Sequence, residues 1–254
     1  MSDGMKAVVL GGTGAVGREV VGQLLCSPRW SSVAAVGRRA VEVPSEYKHK
    51  EGFDASKLQN VVVDMDKLET EGRAAFEGAD SVFCCLGTTR PTAGSAEAFR
   101  KVDLHYVEAA ARAAAACKVP HFGLVSAQGA NAGVWSSDWK LFHGLLYMKT
   151  KGQMPCHGLL YMKTKGQAEE AVKAQRFPYA SILRPGLLER GELARGMEKA
   201  VARLMSSVKV SQVAHCMIAD AERWHAEQKA TASGGAGGEP EVKLFDMKQI
   251  QGYA

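Results

Sequence analysis

The chain has 254 residues, a formal net charge of +5 and 46% apolar residues. That length suits one large α/β domain, and that apolar share suits an ordinary packed core. Lysines and arginines are scattered rather than blocked, which argues against a nucleic-acid binder, and no apolar run reaches the roughly 18 residues needed to span a membrane.

Six cysteines (Cys26, Cys84, Cys85, Cys117, Cys156 and Cys216) show no C-x-x-C spacing. Reduced thiols in a cytoplasmic compartment are therefore expected rather than disulfides, and no metal site is expected. Met1-Ser2-Asp3-Gly4 runs straight into an apolar segment, without the charged-then-apolar pattern of a secretory leader.

The first elements carry the clearest chemistry. Ala7 to Leu10 is an apolar strand, and an amphipathic helix runs from Gly17 to Cys26. Between them lies Gly11-Gly12-Thr13-Gly14-Ala15-Val16-Gly17, in which Gly12, Gly14 and Gly17 fit G-x-G-x-x-G. Such a turn needs glycine for its tight bend, for backbone approach to a pyrophosphate, and for close helix packing. The helix N-terminus then presents free N–H groups to the phosphates.

Ser31 to Gly37 reads as a second buried strand, followed at once by Arg38 and Arg39. The end of this strand meets the adenosine ribose in dinucleotide folds, where a carboxylate selects NAD and arginine pairs with the 2′-phosphate of NADP. NADPH/NADP is therefore the expected cofactor. Arg39 to Gln59 is polar and irregular, and Asn60 to Asp64 is a third strand. Asp64 either accepts from the adenine amine or caps the following turn. Asp66 to Glu77 reads as a helix.

Asp80 to Thr89 is a fourth strand with its loop, and Leu86, Gly87 and Thr88 are placed to pass the cofactor beyond the strand's carboxyl end. Cys84 and Cys85 alternate faces in that strand and are expected to be structural. Ala96 to Cys117 is a long alanine-rich helix, Pro120 to Ala127 a fifth strand, and Tyr179 to Gly186 a sixth. Leu187 to Gln228 is expected to be helical and to cover the site, Ala230 to Pro240 to be a loop, and Val242 to Asp246 to be a last edge strand. Strands alternating with helices mean a doubly wound parallel sheet, Rossmann-like. The expected organisation is one domain over 1–254, with a core at about 5–186 and a small substrate lobe and tail at about 187–254.

His143 to Gln153 recurs identically as His157 to Gln167. This short duplication supplies two copies of Tyr-x-x-x-Lys: Tyr147 with Lys151, and Tyr161 with Lys165. On a helix both side chains of such a pair share one face. The lysine cation favours the phenolate, so the tyrosine can exchange a proton with a carbonyl or alcohol near neutral pH. A strand-end hydroxyl such as that of Ser126 would orient the substrate oxygen. The second copy is preferred as the functional pair. Helix formers follow Lys165, whereas Pro155 interrupts the chain soon after Lys151.

The glycine cluster, Ser126 and Tyr-x-x-x-Lys together resemble the short-chain dehydrogenase/reductase superfamily. Phe83 to Arg90, Val102-Asp103-x-x-Tyr106-Val107, His121-Phe122, Tyr161-x-x-x-Lys165-Gly166 and Arg184-Pro185-Gly186 narrow the likeness to an atypical branch with fungal mitochondrial members. That resemblance implies NADPH binding, catalytic roles for Tyr161, Lys165 and Ser126, and cofactor contacts from Lys165 and Pro185. It also implies either a small-molecule substrate or a regulatory protein partner with little turnover, and a mitochondrial association. The branch tends to carry paired serines where this chain has Ser126-Ala127.

Overall fold

The computed structural model describes residues 4–133, 156–189, 207–231 and 239–253. The first copy of the repeated motif, with Tyr147 and Lys151, and the stretch Ser233 to Gly238 lie outside those residues. The main strands are β1 (Met5–Leu10), β2 (Trp30–Gly37), β3 (Leu58–Val62), β4 (Ser81–Cys84), β5 (His121–Val125) and β6 (Tyr179–Leu183). Two short strands follow, β7 (Leu187–Glu189) and β8 (Ser207–Lys209), and then β9 (Glu241–Phe245). Seven of the nine form one sheet in the order β3-β2-β1-β4-β5-β6-β9, and every neighbouring pair in it is parallel. The strand order reverses at β1, which lies between β2 and β4. The carboxyl ends of those strands therefore open a crevice, the usual place for a ligand in such sheets.

Helices cover both faces, so the inner strands are apolar on both sides rather than alternating with polar residues. Val8 and Leu10 enter one core with Ala110 and Ala114 of α4 (Tyr106–Ala116) and Val172 of α5 (Cys156–Ala174). Ala7 and Val9 enter the other with Val20 and Leu24 of α1 (Ala15–Cys26) and Met217 of α6 (Val210–Thr231). Alanine is the strongest helix former, and its small side chain lets α4 lie close to the sheet.

The structure differs from the sequence expectation in two places, Asp66 to Glu77 and Leu187 to Gln228. Asp66 to Glu77 is two 3-10 turns, Met65–Lys67 and Arg73–Phe76, rather than an α-helix. Gly72, a poor helix former, lies between the two turns and caps the second, and the buried side chains there are Met65, Leu68 and Phe76. After a short α2 (Arg90–Ala93), the helix expected from Ala96 runs without a break as α3 (Ala96–Arg100), a π turn at Lys101–His105 and α4. Leu187 to Gln228 is not helical throughout. Pro185-Gly186 carries the chain out of β6 in extended form, and β7 pairs with β8 as a second, parallel two-stranded sheet before α6 starts.

Candidate functional site

The glycine turn is built by contact rather than by flexibility alone. Gly11 has φ +76°, and a Cβ there would stand 2.6 Å from Cys85 O. The Gly14 N–H donates to Gly11 O at 2.9 Å, closing the turn. A Cβ on Gly17 would stand 2.2 Å from that same Gly11 oxygen, so α1 rests directly on the turn. Thr13 is exposed at the tip, Ala15 half-buried and Val16 buried. Gly14 caps α1 without a side-chain hydrogen bond, and the first turn holds no acidic residue. The helix therefore offers unsatisfied N–H donors and a positive dipole end to an anion.

Arg38 and Arg39 follow β2, exposed, and meet no ion-pair or hydrogen-bond partner among the described residues. Asp64 follows β3 and accepts from the Asp66 N–H at 3.0 Å, so it caps the next turn through one oxygen.

Past β4, the loop Leu86-Gly87-Thr88 lies over a buried ion pair. Lys165 Nζ is 3.0 Å from Asp103 Oδ1. The other Asp103 oxygen accepts from the Thr88 N–H at 2.8 Å, and Lys165 Nζ donates to Leu86 O at 3.4 Å. Burial would pull the Lys165 amine down, but the Asp103 charge, with a smaller contribution from Tyr161, more than offsets it and holds the amine above its ordinary range. Burial pushes the Asp103 carboxyl up, against the opposing influence of Lys165 and the Thr88 N–H. Tyr161 stands one helical turn before Lys165, half-buried, its ring 5.8 Å from that of Phe99. Cys84 is wholly buried and its thiol is pushed up to about 11 by burial.

Ser126 sits just past β5, buried, and its hydroxyl donates to Glu169 Oε1 at 2.5 Å. Arg184 holds the same carboxylate with two hydrogen bonds, 2.9 Å from Nε and 2.5 Å from Nη2. Pro185 is buried beside it, its carbonyl accepting from the Gln128 N–H at 2.9 Å. A cavity of about 420 Å³ opens next to this network, lined by Asn131, Gly133, Gly166, Glu169, Glu170 and Arg184.

The structure thus joins Lys165 to the Leu86–Thr88 loop, and Ser126 to Glu169 one turn further along the same helix. Sequence reading missed Asp103 and Glu169 as members of these contacts. An aspartate within an alanine-rich helix was the available signal for the first.

Three features fit a dinucleotide: the glycine cradle, the uncapped helix N-terminus above it, and two unpaired arginines at the next strand end. Fold and site together define an α/β protein of the dinucleotide-binding, oxidoreductase-like class. A model of an NAD(P)H-binding family matches residues 11–222. The chain is 30% identical over 257 residues to the mitochondrial protein FMP52-1 of Scheffersomyces stipitis, covering 97% of each. It is 33% identical over 180 residues to the rat protein HTATIP2, covering 71% of this chain and 61% of the rat protein. Among solved structures, the oxidoreductase ylbE from Lactococcus lactis superposes with a TM-score of 0.58 at 19% identity, covering 98% of this chain and 96% of that one, a likeness of fold. The chain belongs to the NAD(P)H-binding, atypical short-chain dehydrogenase/reductase family. No helix among the described residues is long and apolar enough to cross a membrane.

Proposed function

We propose that the protein is an NADP(H)-dependent oxidoreductase acting on a small carbonyl or alcohol. The observation that carries this reading is the Tyr161–Lys165 pair on one helix, with the Lys165 ammonium under the Leu86–Thr88 loop. Gly11 to Gly17 would receive the pyrophosphate, Arg38 and Arg39 the 2′-phosphate, Asp64 the adenine edge, and Leu86, Gly87, Thr88, Lys165 and Pro185 the nicotinamide half. NADPH would supply the hydride. Tyr161 would give its proton to the carbonyl oxygen that the hydride turns into an alcohol, and the Lys165 charge would stabilise the phenolate left behind.

A second reading, a regulatory NADPH-binding protein with little turnover, is favoured by one specific observation. The Ser126 hydroxyl is already donated to Glu169, and Ala127 beside it has no hydroxyl to offer a substrate. A panel of aldehydes, ketones and quinones, watched for loss of reduced cofactor, separates the two. Turnover that Tyr161→Phe abolishes and Tyr147→Phe preserves supports the enzyme reading and the second motif copy. Inactivation by Tyr147→Phe instead would transfer the role to the first copy. Tight NADPH binding with no turnover across the panel supports the regulatory reading.

A further inference from the structure

Lys165 is a cation with almost no access to water, at a place where burial by itself pulls its amine down. Several groups face it. Asp103 comes from the π turn, Tyr161 from its own helix, and the thiols of Cys84 and Cys85 from the end of β4. Of these, Asp103 is the carboxylate, and it is as buried as the lysine. Single π turns inside helices are rare and gather at functional sites. This one brings Asp103 between two partners that belong to different parts of the site: the Lys165 ammonium at 3.0 Å and the Thr88 N–H at 2.8 Å. Gly87 leaves the room for it, since a Cβ there would stand 3.3 Å from Lys165 Nζ and 3.4 Å from Asp103 Oδ1. Among the described residues, the Lys165 ammonium is the partner that Asp103 Oδ1 meets, at ion-pair distance.

We propose that Asp103 is the positioning residue of the site: it keeps Lys165 charged in its buried seat and fastens that charge to the loop that passes the cofactor. The proposal rests on the reading that Lys165 serves the cofactor. Its electrostatic half stands apart from that reading and is tested separately.

Asp103→Asn keeps an acceptor for the Thr88 N–H and removes the charge. Lys165 then has a lowered folded-state pKa and an ordinary unfolded one. Between those two values the unfolded chain holds a proton that the folded chain has lost, so the variant gains stability as pH rises. Thermal melting of the wild type, Asp103→Asn and Asp103→Asn/Lys165→Met from pH 7 to 10 is the test. The deficit of the single variant should be largest at pH 7 and shrink toward pH 10, and the double variant should show no such trend. Removing one partner of a buried pair costs far more than replacing both, so the double variant should also melt above the single one. A single-variant deficit constant across the range, or a double variant no more stable than the single, would overturn the proposal. If Asp103→Asn does not fold while the double variant does, the pairing is supported; if neither folds, it is rejected.

NADPH titrations of the same proteins read the other half. Affinity of Asp103→Asn should fall about tenfold between pH 7 and 9.5 as Lys165 loses its proton, with the wild type nearly flat. Parallel profiles would reject a role at the cofactor while leaving the melting result to judge the pairing. A wild type that binds no NADPH would reject the proposed function instead.

Discussion

Gly17 lies against the carbonyl of Gly11 so closely that a Cβ on Gly17 would stand 2.2 Å from the Gly11 oxygen. No side chain fits that gap without lifting α1 from the sheet. Gly14, in the same turn, has 3.2 Å to the same oxygen, a distance that a small shift relieves. Gly17→Ala should therefore cost at least the ~1–3 kcal/mol typical of overpacking and weaken NADPH binding. Gly14→Ala should cost clearly less. Denaturant unfolding midpoints with parallel NADPH titrations check the ranking, and equal effects from the two variants would contradict it.

The two arginines beyond β2 predict a preference between cofactors. A charge-assisted contact to phosphate contributes on the order of 1.5–3 kcal/mol, roughly tenfold to a hundredfold in affinity. Calorimetric titration should show NADPH binding more tightly than NADH by that order. Arg38→Ala/Arg39→Ala should erase the difference by weakening NADPH alone. Equal affinity for the two cofactors in the wild type would reject the assignment.

Cys84 should be chemically silent in the native protein. It is fully buried, and burial holds its thiol up at about 11, so little thiolate exists at neutral pH. Cys85 is only half-buried, but burial of its thiol pushes it higher still. A bulky thiol reagent at pH 7.5, with labelled sites identified by mass spectrometry, should leave both unmodified until the protein is denatured. Rapid labelling of either would point to a redox role.

Acid should destabilise the fold through His121. The imidazole is fully buried, with Nδ1 3.0 Å from Ser81 Oγ and Nε2 3.0 Å from Ser181 Oγ, while His225 Nε2 meets the same Ser81 oxygen at 2.9 Å. Burial, with a smaller push from His225, takes His121 down to about 3 from its ordinary 6.5. Between those values the unfolded chain binds a proton that the folded chain does not, so stability falls as pH drops from about 6.5 toward 3. At roughly 1.4 kcal/mol per pH unit, the loss reaches on the order of 4 kcal/mol near the acid end. Urea unfolding from pH 7.5 to 4 should show this slope, and His121→Gln should flatten it. A wild-type stability independent of pH over that range would contradict it.

What the sequence by itself determined is what local order encodes. Apolar runs such as Ala7 to Leu10 and Phe122 to Val125 mark strands, because parallel strands are buried on both faces and need no alternation. The glycine turn and Tyr161-x-x-x-Lys165 were legible for the same reason: each is a few residues whose spacing alone sets its geometry. Tertiary structure decided the rest. The Lys165–Asp103 pair and the Ser126–Glu169–Arg184 cluster join residues from separate elements, and no periodicity records which buried charge will face which. For Asp64 the sequence left two readings open, adenine contact or turn cap, and the turn itself shows the cap on Asp66. Asp66 to Glu77, Leu187 to Glu189 and Ser207 to Lys209 departed from helix because a short segment takes the conformation that its packing partners allow. Gly72 folded against Leu68 and the pairing of β7 with β8 outweighed weak local helix preference.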